Sequence, residues 1–548
     1  MGCSASVESG VRTWPSRSRC CAGADAPLPS SVSSGAANKS MVTPRNWTSL
    51  TENLQVLKRR KQLEDKKLFI DSQFPPRDVS LGSKQDRYAQ RKIVWKRPHE
   101  ISLHPVLIAD GTSRHDMKQG DLNDCWFLST LSLVAEKPQL ISKIIQADPN
   151  FGSSEYTGIF HCRFWQFGSW TEVFVDDLLP TVDGKLLFAR SSDPNEFWVS
   201  LVEKAYAKLN KSYAALEYGF EADAYTDLTG GLAEWYTPSS LRENDFYLMR
   251  AAFQCGAVIG CLSVDRQDTS GKKRQAKGMV PNHSYVVTGA AEVPYIDVAV
   301  KLVRMRNPWG DTEWQGEWCD GGDEWKRVPE TIKRELEVTS KDDGEFWMSF
   351  SDFRREYSNM IICNMSPDFD HDGISDKAAY QLLLKGRWEA EQNAGGWLEC
   401  DTFHLNPQYQ LVVYHDAHVE RRYNGRHPLV VALLQVYKRG VSRPGEAEDL
   451  YAVGFEIFQL SESASTAVME PLNNQFFQSM DPLMPENQET YAKYRETSGR
   501  FFLYPGRYLL VPSTHEPNQS RDYVLRLFSV GKIECGSVGN IVQPSNTS

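Results

Sequence analysis

One cysteine of this sequence stands where a thiol could act as a nucleophile. Cys125 follows a polar stretch that begins at Gln119, and it opens an apolar run long enough for a buried helix. The unpaired N–H groups and the dipole at a helix N-terminus favour the thiolate, the form of cysteine that attacks carbonyl carbons. Gln119 could direct its amide to the developing oxyanion, with the Cys125 N–H as a second donor. A lone cysteine at a helix start is more often structural, so this chemistry requires a base.

Among the eleven histidines, His283 has the most suggestive context, because it directly precedes a β-branched run. A second run of this kind follows at residues 298–307. A hairpin closed near residues 293–297 would make His283 and Asn307 neighbours. Asn307 could then orient the imidazole while the other ring nitrogen exchanges a proton with Cys125, as in thiol proteases. Each residue alone is more often structural, but the joint pattern is much less likely to arise by chance.

Four carboxylates lie in two predicted loops that follow Asn307 in the sequence, at Glu313, Asp320, Asp343 and Glu345. Gly344 permits a tight backbone between the last two. Hard oxygen ligands of this kind suit Ca²⁺ better than zinc or iron. Ordinary surface acids are the alternative interpretation.

The 548 residues can form three or four domains, and 41% apolar, 24% charged and 11% aromatic residues predict a largely folded chain. Residues 1–68 carry a net charge of +6 and the remainder −16. The acidic body disfavours nucleic acid as a partner. No apolar run approaches the ~20 residues needed to cross a bilayer, and a signal peptide is missing, which predicts a cytosolic or peripheral protein. The eleven cysteines form no CxxC pair, so we expect reduced thiols.

The first 47 residues are rich in Ser, Ala, Gly and Pro, and we expect a disordered tail. The opening MGCSAS fits the myristoylation pattern, with Gly2 as acceptor and Cys3 beside it for a second acyl chain. A chance match is the alternative. Residues 48–98 predict a basic helix, with Lys58-Arg59-Arg60-Lys61 on it, and an extension into the core. The basic run is either a solvated face or a contact with anionic lipid or with the acidic body.

The C-terminal part changes character. Short β-branched and aromatic runs over residues 378–530 predict an antiparallel β-sandwich, followed by a tail at 531–548. Before it, the stretch from Asp368 begins like an EF-hand loop but has Ala379 where a bidentate Glu is needed. We therefore interpret residues 367–377 as an acidic linker.

Several motifs then occur in a familiar order. They are QG at 119–120, DCWFL at 124–128, GKL at 184–186, NEFW at 195–198, EKAYAK at 203–208, TGG at 229–231, RNPWG at 306–310 and DGEFWMS at 343–349. In the sandwich they are Trp388, GGW at 395–397, NPQY at 406–409 and PSTHEP at 512–517. From about Leu68 to the C-terminus the sequence resembles the calpains, which are calcium-dependent, papain-like cysteine proteases.

The resemblance implies an α+β fold with a two-lobed protease core, lobe one at 99–230 and lobe two at 231–366, and then the calpain third domain. It implies that Cys125 is the nucleophile, His283 the base and acid, Asn307 the orienting residue and Gln119 the oxyanion donor. No penta-EF-hand domain follows, so we expect an atypical calpain that does not use the usual small subunit.

The resemblance also implies two calcium sites. The site in lobe two would add the Lys341 carbonyl to its four carboxylates. The site in lobe one would use Asp116, Glu196 and the carbonyls of Ala109 and Gly111. Without calcium, the lobes would hold Cys125 too far from His283, with Trp309 as a wedge in the cleft.

Two residues depart from the family pattern: Asn123 and Asn282 stand where glycine is usual, although Asn tolerates left-handed backbone. We expect a lipid-anchored, calcium-dependent endopeptidase that cuts cytosolic proteins in a limited fashion at the inner face of a membrane. A catalytically weak membrane adaptor that binds protein partners is the alternative.

Overall fold

The structure is a computed structural model. It describes residues 67–82, 91–146, 151–264, 277–308, 312–341, 343–365, 369, 380–437, 439, 449–460, 470–485 and 491–538. All of them belong to one compact unit that begins at Lys61. The predictions for Gly2, Cys3, the tail, the basic helix and Trp309 lie outside the described residues. In the part of the chain that is described, no helix is both long and apolar enough to cross a bilayer.

Lobe one is built around helix α3, Cys125–Ala135, of which every residue after the cysteine is buried. Its sequence is apolar or small on all sides, which suits a helix in the middle of a core. The other helices are α1 (Asp78–Leu81), α2 (Pro98–Ile101), α4 (Pro138–Ile144), α5 (Trp198–Leu209) and α6 (Glu221–Thr229). The strands are β1 (Ile93–Lys96), β2 (Met117–Lys118), β3 (Ile159–Gln166), β4 (Ser169–Asp176), β5 (Leu179–Val182), β6 (Lys185–Leu186) and β7 (Arg190–Ser191).

Lobe one begins earlier than predicted. Strand β1 pairs with β5, from Ile93 opposite Val182 onward. Phe74 and Leu81 are buried in the same core as α3. The predicted boundary at residue 99 is therefore wrong. The pairing of β1 with β5 joins residues that are 83 to 89 positions apart, and a Pro-rich stretch with no clear period gave no signal for it.

Lobe two is one antiparallel sheet in the strand order β12-β11-β10-β9-β13-β8. Its strands are β8 (Leu232–Tyr236), β9 (Val258–Ser263), β10 (Ser284–Tyr295), β11 (Val298–Arg306), β12 (Glu345–Ser349) and β13 (Tyr357–Asn364), and its helices are α7 (Phe246–Gln254), α8 (Glu330–Glu335) and α9 (Phe350–Glu356). The β10–β11 hairpin closes between Tyr295 and Val298, and its register sets Val286 opposite Arg306.

As far as its residues are described, the last domain is a sandwich of two four-stranded antiparallel sheets, in the orders β14-β20-β16-β18 and β17-β19-β15-β21. The elements are β14 (Tyr380–Trp388), β15 (Tyr409–Val413), α10 (Ala417–Arg422), β16 (His427–Gln435), β17 (Val453–Gln459), α11 (Asn474–Ser479), β18 (Glu496–Leu503), β19 (Gly506–Thr514), β20 (Arg521–Ser529) and β21 (Ile533–Ser537). Two lobes of mixed content and an antiparallel sandwich confirm the predicted α+β class.

The sandwich does not end at residue 530 as predicted. Strand β21 pairs with β15 from Ile533 opposite Val413, so these residues belong to the domain and not to a tail. Ile533 and Cys535 point into the core and are fully buried. A five-residue strand that contains a glycine is too short to show a convincing alternation in sequence.

Candidate active site

Cys125 is the first residue of α3, and its thiol is neutral in this arrangement. The Asp124 carbonyl accepts from the N–H groups of Phe127 and Leu128, which starts the helix directly at the cysteine. Burial raises the pKa of the Cys125 thiol to about 11, and the nearby carboxyl groups of Glu221 and Asp124 act in the same direction. The expected depression of the thiol pKa by the helix N-terminus is therefore not observed, because desolvation and acidic neighbours outweigh the dipole.

His283 and Asn307 lie side by side, His283 just before β10 and Asn307 just after β11. The His283 Nε2 atom is 2.9 Å from Asn307 Oδ1, and both side chains are buried. Because an amide oxygen can only accept, Nε2 is the nitrogen that carries hydrogen, and Nδ1 is the nitrogen that can take a proton. Burial lowers the pKa of His283, and the hydrogen bond to Asn307 opposes this shift.

Both residues are also fixed through their backbones. The His283 N–H donates to Ser263 Oγ at 2.9 Å, and the His283 carbonyl accepts from the Ser263 N–H at 3.0 Å. The Asn307 N–H donates to the Gly344 carbonyl at 2.8 Å, and its side-chain amide donates to the Thr312 carbonyl at 3.2 Å. His283 is thus fixed by the end of β9, and Asn307 by the loops that contain Thr312 and Gly344.

Ser284 brings the two lobes together at the nucleophile. Its backbone N–H and its hydroxyl both interact with the Cys125 thiol and partly offset the increase of the thiol pKa. The same hydroxyl interacts with Glu221, whose pKa burial raises to about 7. Sequence reasoning missed both residues. Ser284 could have been suspected as the neighbour of His283, but nothing in the sequence connects Glu221 with the cysteine.

Gln119 is held within its own loop. Its side-chain amide donates to the Leu122 carbonyl at 2.6 Å. A Cβ on Gly120 would lie 2.3 Å from the Phe188 backbone, so only glycine allows the loop to lie this close. The Gln119 side-chain amide was predicted to donate to the oxyanion. In this structure it is hydrogen-bonded to the Leu122 carbonyl instead.

The two asparagines at the family's glycine positions behave differently. Asn282 has a φ of +51°, the left-handed conformation that glycine adopts easily and asparagine tolerates. Asn123 is not among the described residues with positive φ. Its carbonyl accepts from the Tyr218 N–H at 3.0 Å, and its amide donates to the Tyr218 hydroxyl at 3.3 Å. Of these two positions, Asn282 alone requires a residue that can adopt a positive φ.

The residues predicted for the first calcium site occupy one region of lobe one. Glu196 Oε1 accepts from the Ala109 N–H at 2.8 Å. The Asp116 carboxylate accepts from the N–H and hydroxyl of Ser113, at 2.6 and 2.9 Å. Burial raises the pKa of Glu196, and the charge of Asp116 adds to this shift. Gly111 has a φ of +95°, which turns the loop.

The acidic residues predicted for the second site are also close to one another. Glu313 Oε1 accepts from the N–H groups of Asp343 and Gly344, at 3.0 and 2.8 Å. Burial raises the pKa of Asp320 to about 7; the charges of Glu313, Asp343 and Glu345 add to the shift, and the Lys341 N–H opposes it.

One observation indicates that this cluster of carboxylates could bind a cation. The Asp320 Oδ2 atom is buried with no hydrogen-bond partner in the described part of the chain. A buried carboxylate oxygen among other carboxylates is a favourable ligand for a divalent cation. Among the described residues, however, no three His, Cys, Asp or Glu side chains are arranged as a metal site. In this structure the oxygens of Glu313 and Glu345 are directed to backbone N–H groups and to Arg114.

Comparison with known proteins gives a consistent picture. Residues 69–364 match a family model described as calpain family cysteine protease, and residues 384–528 match one described as calpain large subunit, domain III. The calpain-2 catalytic subunit of Bos taurus is 39% identical over 481 residues, which cover 86% of this chain and 67% of that protein. The human calpain-2 catalytic subunit is 39% identical over 495 residues, covering 88% and 69%. Calpain-8 of Rattus norvegicus is 37% identical over 494 residues, with the same coverage.

Proposed function

The chain belongs to the calpain family of cysteine proteases, and we propose from this premise that it is a calcium-activated cysteine endopeptidase that cuts other proteins in a limited fashion. The observation that supports this most directly is the buried pair of His283 Nε2 and Asn307 Oδ1 at 2.9 Å. It fixes the imidazole tautomer that a thiol protease requires, and it lies one residue from the Ser284 that contacts Cys125.

In the proposed mechanism, His283 Nδ1 takes the proton of the Cys125 thiol, and the thiolate attacks the carbonyl carbon of the scissile peptide. The Cys125 N–H and the Gln119 amide would donate to the oxyanion once Gln119 turns from the Leu122 carbonyl. The protonated His283 then gives its proton to the leaving amine. A water, deprotonated by His283, attacks the thioester, and Cys125 recovers its proton as the acid product leaves.

The arrangement in this structure fits a resting form of such an enzyme. With a thiol pKa of about 11, Cys125 is predominantly un-ionised at pH 7. Burial also lowers the pKa of His283, which favours the neutral imidazole. A neutral thiol becomes reactive when a neutral imidazole approaches the sulfur closely enough to take its proton. The two groups lie on different lobes, so we propose that movement of the lobes brings about this change.

We propose that calcium controls this movement. Glu313, Asp320, Asp343, Glu345 and the Lys341 carbonyl would hold one ion in lobe two. Asp116, Glu196 and the carbonyls of Ala109 and Gly111 would hold another in lobe one. Bound calcium would supply the positive charge that the clustered carboxylates lack. The partnerless Asp320 Oδ2 and the raised pKa of Asp320 support this proposal.

We further propose that the enzyme acts at the inner face of a membrane. The support is the MGCSAS start, which provides Gly2 for myristoylation and Cys3 for palmitoylation, and the basic run Lys58-Arg59-Arg60-Lys61 behind it. The membrane partner would then be an anionic leaflet, and the substrates proteins near it.

The test is digestion of casein by the full chain, with calcium chloride or with a chelator, alongside the Cys125→Ala variant. We expect cleavage only by the unaltered chain with calcium. Equal cleavage with chelator would contradict the calcium switch. The absence of cleavage under both conditions would favour the second candidate, a membrane adaptor with a weak site. The raised pKa of the Cys125 thiol and the presence of Asn123 and Asn282 at the family's glycine positions support this alternative.

A further inference from the structure

The chain passes from lobe one to lobe two at two adjacent glycines. Helix α6 ends at Thr229, Gly230 is its left-handed cap with a φ of 73°, and β8 starts at Leu232. A Cβ on Gly231 would lie 2.3 Å from the Tyr225 ring. The two peptide groups at this point are therefore free of side chains and closely packed. A rotation of these peptide groups would change the angle between the lobes, and we therefore refer to Gly230 and Gly231 as the hinge.

One arginine of the sandwich donates to both hinge carbonyls. Arg526 on β20 donates from Nη1 to the Gly231 carbonyl at 2.9 Å and from Nη2 to the Gly230 carbonyl. Its Nη1 also pairs with Glu496 at 2.8 Å, and its guanidinium lies 4.7 Å from the Trp165 ring centroid. Arg526 is buried. Because a guanidinium is planar and rigid, this fork fits only one relative orientation of the two peptide planes.

Further arginines of the sandwich hold the chain on each side of the hinge. On the side of lobe one, Arg495 donates to Asp227 of α6 at 3.0 Å. On the side of lobe two, Arg500 donates to Glu234 of β8 at 2.9 Å. All four side chains are buried. The sandwich thus contacts both ends of the segment that must turn when the lobes move.

We propose that Arg526 is a positioning residue for proteolysis, which sets the angle between the lobes by holding the carbonyls of Gly230 and Gly231. Cys125 lies on lobe one and His283 on lobe two, so this angle decides how closely the nucleophile approaches the base. The proposal rests on the proposed protease function and adds that the sandwich acts on catalysis through the hinge. Loss of two charge-assisted hydrogen bonds shifts an equilibrium between lobe arrangements by about tenfold or more.

Two variants separate this role from simple stability. Arg526→Lys keeps the charge for Glu496 but cannot span two carbonyls with a planar fork. The double variant Arg526→Met with Glu496→Gln removes both buried charges, so no unpaired carboxylate is left to unfold the sandwich. The matched control is Arg387→Met, since Arg387 on β14 pairs with Asp522 of β20, at 2.8 Å and within the sandwich.

The measurement is the rate at which iodoacetamide alkylates Cys125 as a function of pH, read by mass spectrometry of the peptide that contains it, in the full chain with a chelator and with increasing calcium chloride. The calcium concentration needed for half-maximal casein cleavage is measured in parallel. The fork is observed in the resting arrangement, so its loss should release that arrangement. We expect both Arg526 variants to be alkylated about tenfold faster at neutral pH in chelator, with the alkylation profile moved to lower pH, and to need less calcium for half-maximal cleavage. Arg387→Met should match the unaltered chain.

Folded Arg526 variants with an unchanged alkylation profile would overturn the proposal. This includes variants whose thermal stability falls while the profile stays the same, because an arginine with a purely structural role would give that result. If the unaltered chain cleaves no casein, the proposed function fails, but the alkylation profiles still decide the role of Arg526, since they need no substrate.

Discussion

Arg114 of lobe one and Glu345 of lobe two form an ion pair across the cleft, with Arg114 Nε 2.8 Å from Glu345 Oε1 and Nη2 3.4 Å from Oε2. Arg114 lies two residues before Asp116, and Glu345 two residues after Asp343. The pair therefore joins the two regions predicted to bind calcium. Arg114 also pairs with Glu136 at 3.4 Å, at the end of α3. A change in either region can be transmitted to the other through this side chain.

We expect Arg114→Gln to weaken the coupling between the two predicted calcium sites. Without the bidentate pair, each lobe would respond to calcium more independently, and the Hill coefficient of activation should fall towards one. Casein cleavage titrated with calcium measures this coefficient. Arg242→Gln is the matched control, since its ion pair with Asp245 is local and Arg242 is exposed. An unchanged Hill coefficient in Arg114→Gln would contradict the coupling.

Cys125→Ser should reduce proteolysis to background, a loss of at least about 10³-fold, because a hydroxyl is not ionised by His283 as a thiol is. Asn307→Ala should cost less, on the order of 10²-fold, since the nucleophile and base remain and only the ring orientation is lost. Activity against casein with calcium is the measurement. Retained cleavage by Cys125→Ser would remove Cys125 as nucleophile, while circular dichroism checks that both variants fold.

The stability of the calcium-free protein should depend on the ionisation of Asp320. Its pKa is about 7 in the folded chain against 3.8 for the ordinary group, so folding favours its protonated form. An acid with a raised folded pKa loses stabilisation as pH rises from about 4 to about 7. The Tm of the unaltered chain should therefore fall relative to Asp320→Asn across this window and run parallel to it above pH 7.

This comparison is made by thermal unfolding in chelator. Added calcium should narrow the difference, because a bound cation favours the ionised carboxylate. The control is Asp323→Asn, where Lys326 lowers the pKa of an exposed carboxyl, so no pH-dependent difference is expected above pH 4. If the Tm differences of Asp320→Asn and Asp323→Asn from the unaltered chain had the same pH dependence, the acidic neighbours of Asp320 would not raise its pKa.

The substitution Asn282→Ala should destabilise the protein by about 1 kcal/mol, because a Cβ without a local hydrogen-bonding group is strained at a φ of +51°. Asn282→Gly should keep stability and activity. Asn123→Ala, at a position without positive φ, should change the free energy of unfolding by less than about 0.5 kcal/mol. Urea denaturation measures all three. A larger loss at Asn123 than at Asn282 would contradict the assignment of the strained turn.

Membrane association should depend mainly on the acyl chains. A single myristoyl group binds membranes with an association constant of about 10⁴ M⁻¹, so Gly2→Ala and Cys3→Ser should each move the protein largely into the soluble fraction. Neutralising Lys58, Arg59, Arg60 and Lys61 should matter chiefly at low salt. Fractionation before and after a high-salt wash is the measurement. Membrane-bound Gly2→Ala protein after that wash would point to a different anchor.

The sequence by itself determined the family, the order of the domains and the neighbourhood of His283 and Asn307. Motifs are read locally, and a hairpin is a local structure: once β10 and β11 are recognised, their register brings the residues at its open end together. The alternation of short β-branched runs likewise predicted the sandwich. Its last strand was missed because the five residues of β21 carry little periodic signal.

Only the tertiary structure decided the chemical state of the site. The thiol of Cys125 is neutral because burial and the carboxyl groups of Glu221 and Asp124 act on it together, and the position of Glu221 beside the cysteine depends on how α6 packs. Arg114 reaches Glu345 across 231 residues, and Arg526 reaches Gly231 across 295. Desolvation and long-range ion pairs depend on which surfaces meet when the lobes and the sandwich pack, and no local pattern in the sequence records that.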